Sequence, residues 1–204
     1  TDPGDEVIAV TPSYFFYGPM CDLAGCTRVL VPSSEKDHFD LDVNAILNAV
    51  TDRTRVVLIN SPNNPSGRVY PPPTLRKLAD GLRSLNRNRD RPVMVISDEA
   101  YNRVVFSDAP PFRSVSEYYP HTVIVYTYGK STLAPGERLG YLALSPLMPV
   151  EDRNELRDAM FQVRVVGYSL PNRTTARSLP KLDEFVVDLE RLEKRRDLLT
   201  ERLE

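Results

Sequence analysis

Tyr126-Thr-Tyr-Gly-Lys-Ser-Thr-Leu-Ala-Pro-Gly-Glu-Arg-Leu-Gly-Tyr141 is the stretch that decides how this 204-residue chain is read. It starts inside the apolar run Val123–Thr127 and ends inside a second one, Leu139–Leu144. Lys130 is therefore expected at the end of a strand, with hydroxyls beside it and Arg138 eight residues further on. Desolvation and a neighbouring cation both lower a lysine's pKa and free its lone pair for attack on a carbonyl. Such a lysine suits an amine that forms a Schiff base beside a phosphate. Taken alone, Lys130 reads first as a surface lysine at a strand end, and two motifs upstream reverse that reading.

The first is Asn60-Ser-Pro-Asn-Asn-Pro-Ser-Gly-Arg68, directly after the β-branched run Val56–Ile59. Its prolines, asparagines and glycine make a rigid turn at the C-terminal end of a strand. In open α/β sheets ligands bind at that edge, although the same segment also reads as a plain strand-to-helix loop. The second motif is Val93-Met-Val-Ile-Ser-Asp-Glu-Ala-Tyr101, in which an apolar run leads into Asp98. A sheltered carboxylate there can hold a pyridine nitrogen protonated and make the ring an electron sink. Tyr101, three residues on, can donate to a phenolic oxygen of the same ring. By itself Asp98-Glu99 equally reads as a magnesium site or a helix N-cap.

In this order the three motifs resemble the large domain of fold-type I enzymes that use pyridoxal phosphate (PLP), and most of all the class I/II aminotransferases. The opening Asp2-Pro-Gly-Asp-Glu-Val-Ile-Ala-Val-Thr-Pro-Ser-Tyr14 is similar to the family's strand leading to an aromatic that stacks on the cofactor. The resemblance runs from Pro3 to Leu203. It implies a three-layer α/β/α large domain with a mostly parallel central sheet. It also implies PLP carried as an aldimine on Lys130, which later moves a proton at the substrate. Asp98 would pair with the pyridinium nitrogen, and Asn64 and Tyr101 would hydrogen-bond the phenolic oxygen. Arg138 and Thr127 would hold the phosphate, and Tyr14 would stack on the ring. Arginine has the fixed charge and planar fork that phosphate recognition needs, and tyrosine the flat ring that stacking needs.

The implied function is an aminotransferase acting on an amino acid and a 2-oxo acid, as a homodimer with cofactor sites near its interface. The alternatives are a PLP lyase or cyclase of specialised metabolism, and a non-catalytic PLP-binding regulatory module. Departures from the family's pattern are small. Gly129 precedes the lysine where many relatives carry Ser, Tyr14 stands where some have Trp, and Thr127 replaces the commoner Ser.

Composition is consistent with this reading. The net charge is −2 with dispersed basic residues, which gives no sign of a nucleic-acid surface. No run of about eighteen apolar residues supports membrane insertion, and no metal-ligand pattern stands out. Cys21 and Cys26 read as reduced thiols of a cytoplasmic protein. Arg87–Arg91 reads as a solvated loop, and neither His38 nor His121 is assigned a role.

Strands are expected at Val7–Thr11, Arg28–Val31, Val56–Asn60, Val93–Ser97, Val123–Thr127 and Leu139–Leu144. Helical spacing links Val43, Ile46, Leu47 and Val50, and again Leu75, Leu78, Ala79, Leu82 and Leu85. After Leu144 the pattern turns helical, and Phe185, Leu189, Leu192, Leu199 and Leu203 line one stripe of an expected long helix. The expected organisation is a PLP-binding large domain over residues 1–184, lacking its N-terminal part. Residues 185–204 would begin the helix into a small domain. The family's phosphate-gripping turn and its substrate-carboxylate arginine are not in this sequence, and bare apolar surface is expected where those parts would pack.

Overall fold

In a computed structural model that describes residues 1–132, 135–167 and 171–203, six strands form one sheet. They are β1 (Glu6–Thr11), β2 (Thr27–Pro32), β3 (Thr54–Asn60), β4 (Met94–Asp98), β5 (Thr122–Thr127) and β6 (Gly140–Leu144). The helices are α1 (Tyr17–Leu23), α2 (Val43–Asn48), α3 (Pro72–Asn86), α4 (Tyr128–Ser131), α5 (Val150–Gly167), α6 (Arg173–Arg177), α7 (Leu179–Asp183) and α8 (Leu189–Leu203). Spatial order is β2-β1-β3-β4-β5-β6. All neighbours are parallel except β6, which runs antiparallel to β5.

Parallel pairing forces each connection to cross a face of the sheet, and helices then cover those faces. Alternation along the strands sorts the apolar side chains. Ile8, Val10, Val57, Ile59 and Val95 point to the face packed by Leu75, Leu78, Ala79 and Leu82 of α3 and by Val43 and Ile46 of α2. Val7, Val56, Leu58, Met94 and Ile96 point to the other, against Cys21 of α1 and Cys26. Helix α3 starts where it does because Pro72 and Pro73 need no amide partner in the first turn. In α2 the side chain of Asp42 accepts the Ala45 amide at 2.9 Å and caps the N-terminus.

The expected fold is observed, and each expected strand is present to within two residues. Two local expectations are corrected, and one helix was not anticipated. The first correction is that α2 ends at Asn48, so Val50 lies outside it. The long C-terminal helix begins at Leu189, so Phe185 lies outside it. The Asp188 carboxylate accepts the Arg191 amide at 3.0 Å, and this cap outweighs the apolar spacing that had included Phe185. Helix α1 was not anticipated, because Tyr17-Gly-Pro-Met-Cys-Asp-Leu23 holds two poor helix formers in seven residues.

The strand order doubles back after β2, so the chain passes β1 on its way to β3. Open parallel sheets bind ligands beyond the C-terminal strand ends at such a reversal. Tyr14, the Asn60–Arg68 loop, Asp98 and Lys130 all lie at those ends. At the far side, Tyr141 and Leu142 of β6 and Phe161 and Val163 of α5 are exposed and line an apolar groove of about 810 Å³.

Candidate active site

Register brings the motifs together. Asn60 pairs with Asp98 across β3 and β4, and Asp98 pairs with Val125 across β4 and β5. The Asp98 carbonyl accepts both the Ser61 amide at 3.0 Å and the Asn60 side-chain amide at 2.9 Å. The Asn60 side-chain oxygen in turn accepts the Asn64 amide at 2.7 Å. Asn60 thus couples the Asp98 strand end to the loop that presents Asn64. Asn64 reaches the Tyr101 hydroxyl at 3.5 Å, and the Lys130 ammonium sits 5.4 Å from the centre of the Tyr101 ring. Asn64, Tyr101 and Lys130 therefore form one group, although they come from three separate crossovers.

Tyr14, Tyr17 and Asp98 form a second group on the wall of a cavity of about 330 Å³. Tyr14 is half-buried and stands edge-on to Tyr17, with ring centres 5.6 Å apart. The Tyr17 hydroxyl donates to Asp98 Oδ2 at 2.6 Å, and the Ala100 amide donates to Oδ1 at 3.1 Å. Burial first, and the Asp98 charge second, push the Tyr17 phenol well above its ordinary range. Tyr17 therefore stays neutral and keeps donating at any physiological pH. This donation and that of the Ala100 amide fix the orientation of the Asp98 carboxylate.

The remaining two expected residues are placed differently. The Thr127 side chain accepts the Gly129 amide at 3.2 Å and donates to the Leu139 carbonyl at 3.3 Å, so it caps α4. Arg138 is exposed, has φ 50°, and donates to the Pro135 carbonyl at 3.4 Å. The structure does not bring it to the Asp98 group. Gly129 has a steric reason: a Cβ there would lie 3.0 Å from the Pro135 backbone, closer than a serine tolerates without movement.

These residues fit PLP in their chemistry. They supply a carboxylate held as an acceptor, two hydrogen-bonding groups for a phenolic oxygen, an aromatic wall and an exposed primary amine at a strand end. Sequence reasoning missed Tyr17 and Asn60 as site residues. Asn60 had been quoted in its motif, and its place opposite Asp98 needed only the register. The link from Tyr17 to Asp98 spans 81 residues, which no local pattern reveals.

Tyr17→Phe leaves the Asp98 carboxylate without its strongest partner, and hydrogen bonds to charged groups contribute about 1.5–3 kcal/mol. Urea unfolding should show a loss in that range. A difference under a few tenths of a kcal/mol would mean that water replaces the phenol.

Glu99 turns to the opposite face and is buried. Its carboxylate accepts from Ser97 at 2.9 Å and Ser114 at 2.6 Å. Burial raises its pKa above the ordinary value of 4.5, more than the two serine donors lower it. The folded state therefore binds this proton more tightly than the unfolded chain does. Stability from this group is complete below about pH 4.5 and is lost as pH rises through the raised folded value. Glu99→Gln should flatten that part of the stability–pH curve, measured by denaturant midpoints between pH 4 and 7. An unchanged slope would assign it to other groups.

The profile of the family described as aminotransferase class I and II matches residues 1–204. The chain belongs to that family. Class I and II aminotransferases use PLP, and similar proteins carry matching names. An aspartate aminotransferase of Thermotoga maritima is 37% identical over 145 residues, 71% of this chain and 37% of its own length. A probable aspartate/prephenate aminotransferase of Aquifex aeolicus is 31% identical over 208 residues, covering 99% of this chain and 50% of its own. A crystal structure of an amino transferase from Eubacterium rectale superposes with a TM-score of 0.90 at 34% identity, over 98% of this chain and 50% of that one. The chain spans half the length of the last two. No helix among the described residues is long and apolar enough to cross a membrane.

Proposed function

We propose that the full-length protein is a PLP-dependent aminotransferase that moves an amino group between an amino acid and a 2-oxo acid, with Lys130 as the covalent attachment point. The observation that carries this reading is the Tyr17–Asp98 hydrogen bond of 2.6 Å at the sheet's C-terminal edge, beside the Asn64, Tyr101 and Lys130 group. When bound, PLP supplies an electron sink for a carbanion. The residues of the chain do the rest. Asp98, oriented by the Tyr17 hydroxyl, would hold a proton on the ring nitrogen. Asn64 and Tyr101, 3.5 Å apart, would hydrogen-bond the ring oxygen. Lys130, as a primary amine at this strand end, would move a proton at the substrate's α-carbon as a general base and acid. Tyr14 covers one face of the ring and limits water. Arg138 and Thr127 belong to this reading as phosphate ligands, which requires Arg138 to swing from its bond to Pro135.

In the same reading residues 1–184 form the PLP-binding domain, and residues 185–204 lead towards a smaller one. We place the protein in the cytoplasm, supported by two free buried thiols. The test is turnover by full-length PLP-loaded protein with a panel of amino acids, beginning with aspartate, with and without a 2-oxo acid. Turnover that requires the 2-oxo acid and consumes it one for one is expected. Product release without a 2-oxo acid, or PLP binding without turnover, would overturn the transferase reading.

The reading also implies a homodimer. Phe15 and Phe16 beside the cavity are 73% and 45% exposed, as expected of side chains that an interface core takes up. Light scattering at micromolar concentration should give twice the chain mass. A monomer that retains PLP through gel filtration would show that one chain completes the site.

A further inference from the structure

Helix α1 ends in a specific way. The Cys26 amide donates to the Cys21 carbonyl at 2.9 Å, and the Gly25 amide donates to the Asp22 carbonyl at 3.1 Å. Gly25, with φ +68°, supplies the left-handed residue that this pair of bonds requires. Such a helix end sets the side chains of its two outer positions in contact, and they are commonly apolar. Here both positions are cysteine. The two thiols belong to one buried cluster with Val7 and Val56, at 7% and 8% exposure. Both line the 330 Å³ cavity that also holds Tyr14, Tyr17 and Asp98. Burial pushes the Cys21 thiol up, and Cys26 adds to the shift, as expected of sulfurs near enough to interact.

We propose that Cys21 and Cys26 are a redox-modifiable dithiol, oxidised by a small-molecule disulfide to an intramolecular cystine on the wall of this cavity. A cystine forms only between side chains held close with compatible backbones; the helix end ties the two residues by a backbone hydrogen bond of 2.9 Å and places both in one cluster. The step balances as two thiol–disulfide exchanges. One cysteine thiolate attacks a sulfur of oxidised glutathione, forming a mixed disulfide and expelling one glutathione thiolate. The second cysteine attacks the protein-bound sulfur, forming the Cys21–Cys26 bond and expelling the second. The pair loses two electrons and two protons, and the oxidant becomes two thiols. Tyr17 lies one helical turn before Cys21 on the same cavity wall. The cystine therefore clamps the last turn of the helix that holds Tyr17 against Asp98. The raised Cys21 thiol makes the exchange slow at neutral pH, because the thiolate is the nucleophile.

The test treats native full-length protein with oxidised glutathione for several hours, then alkylates, digests with trypsin and maps by mass spectrometry. Residues 1–27 contain no Lys or Arg, so both cysteines fall on one tryptic peptide ending at Arg28. The expected product is that peptide without both thiol hydrogens and without an alkyl group, restored by dithiothreitol. In Cys21→Ser and Cys26→Ser the expected product is instead a trapped glutathione adduct on the remaining cysteine. Two alkylated cysteines after treatment, a persistent glutathione adduct on the unsubstituted protein, or a link between two chains would each overturn the proposal. Should either variant fail to fold, the mapping of the unsubstituted protein decides alone.

Discussion

Lys130→Ala should leave the full-length protein unable to retain PLP covalently, with no visible absorbance after gel filtration and no measurable turnover. An alanine has no amine for the cofactor's aldehyde, and among the described residues no second lysine lies at the end of β5. Loss of a positioned proton-transfer group alone costs about 10²–10⁴-fold in rate, and loss of the attachment adds to this. Misfolding is a weak alternative explanation, because Lys130 is exposed on the short helix α4. Its contact with the Tyr101 ring, at 5.4 Å, is worth only about 0.5–1 kcal/mol at an exposed site. Borohydride reduction of the unsubstituted protein, followed by peptide mapping, should fix the cofactor on Lys130. A label on Lys77, Lys181 or Lys194 would remove the basis of the functional reading.

Asp98→Asn should still bind PLP and lose most of its turnover. The amide preserves shape and accepts one hydrogen bond, yet it carries no charge to hold the proton on a ring nitrogen. A lost charge-assisted bond is worth about 1.5–3 kcal/mol, roughly 10- to 100-fold in rate. Weaker electron withdrawal by an unprotonated ring comes on top. Tyr17 sharpens the expectation: its phenol and the Ala100 amide donate to the two carboxylate oxygens at 2.6 and 3.1 Å, so an asparagine can serve only one of them with its oxygen and sets its NH₂ against the other. An NH₂ facing a pyridine nitrogen donates without protonating it. Turnover within a few-fold of the unsubstituted protein would mean that Asp98 acts elsewhere.

The parallel sheet was legible because β1, β3, β4 and β5 are apolar on both faces, and runs such as Val56–Ile59 state this directly. Most of the candidate site was legible for a related reason: turn-forming residues and carboxylates stand where those runs stop. What escaped were contacts between distant segments. Tyr17 and Asp98 meet only because β1 and β4 flank β3, and a single sequence carries no sign of that pairing. The start of α8 was misjudged because spacing counts apolar residues and ignores a capping carboxylate such as Asp188. The placement of Thr127 was not readable either, since its hydroxyl satisfies the Gly129 amide in the first turn of α4, a demand visible only once that helix exists.

The alternation along β4 has a consequence for how this protein can change over evolutionary time. Ser97 and Glu99 face the α3 side, while Asp98 faces the cavity. A one-residue insertion or deletion within Met94–Ser97 would rotate every following side chain by half a turn. It would aim Glu99 or Ser97 at the cavity and bury Asp98 among the serines that now hold Glu99. Such a lineage keeps its sheet and loses its chemistry in one step. Length changes in the Arg87–Arg91 loop, two residues before β4 begins, leave that register alone, although Arg89 there donates to the Thr51, Asp52 and Thr54 carbonyls. Tolerance of insertions therefore changes abruptly within a few residues of chain, at the point where polar loop gives way to Val93.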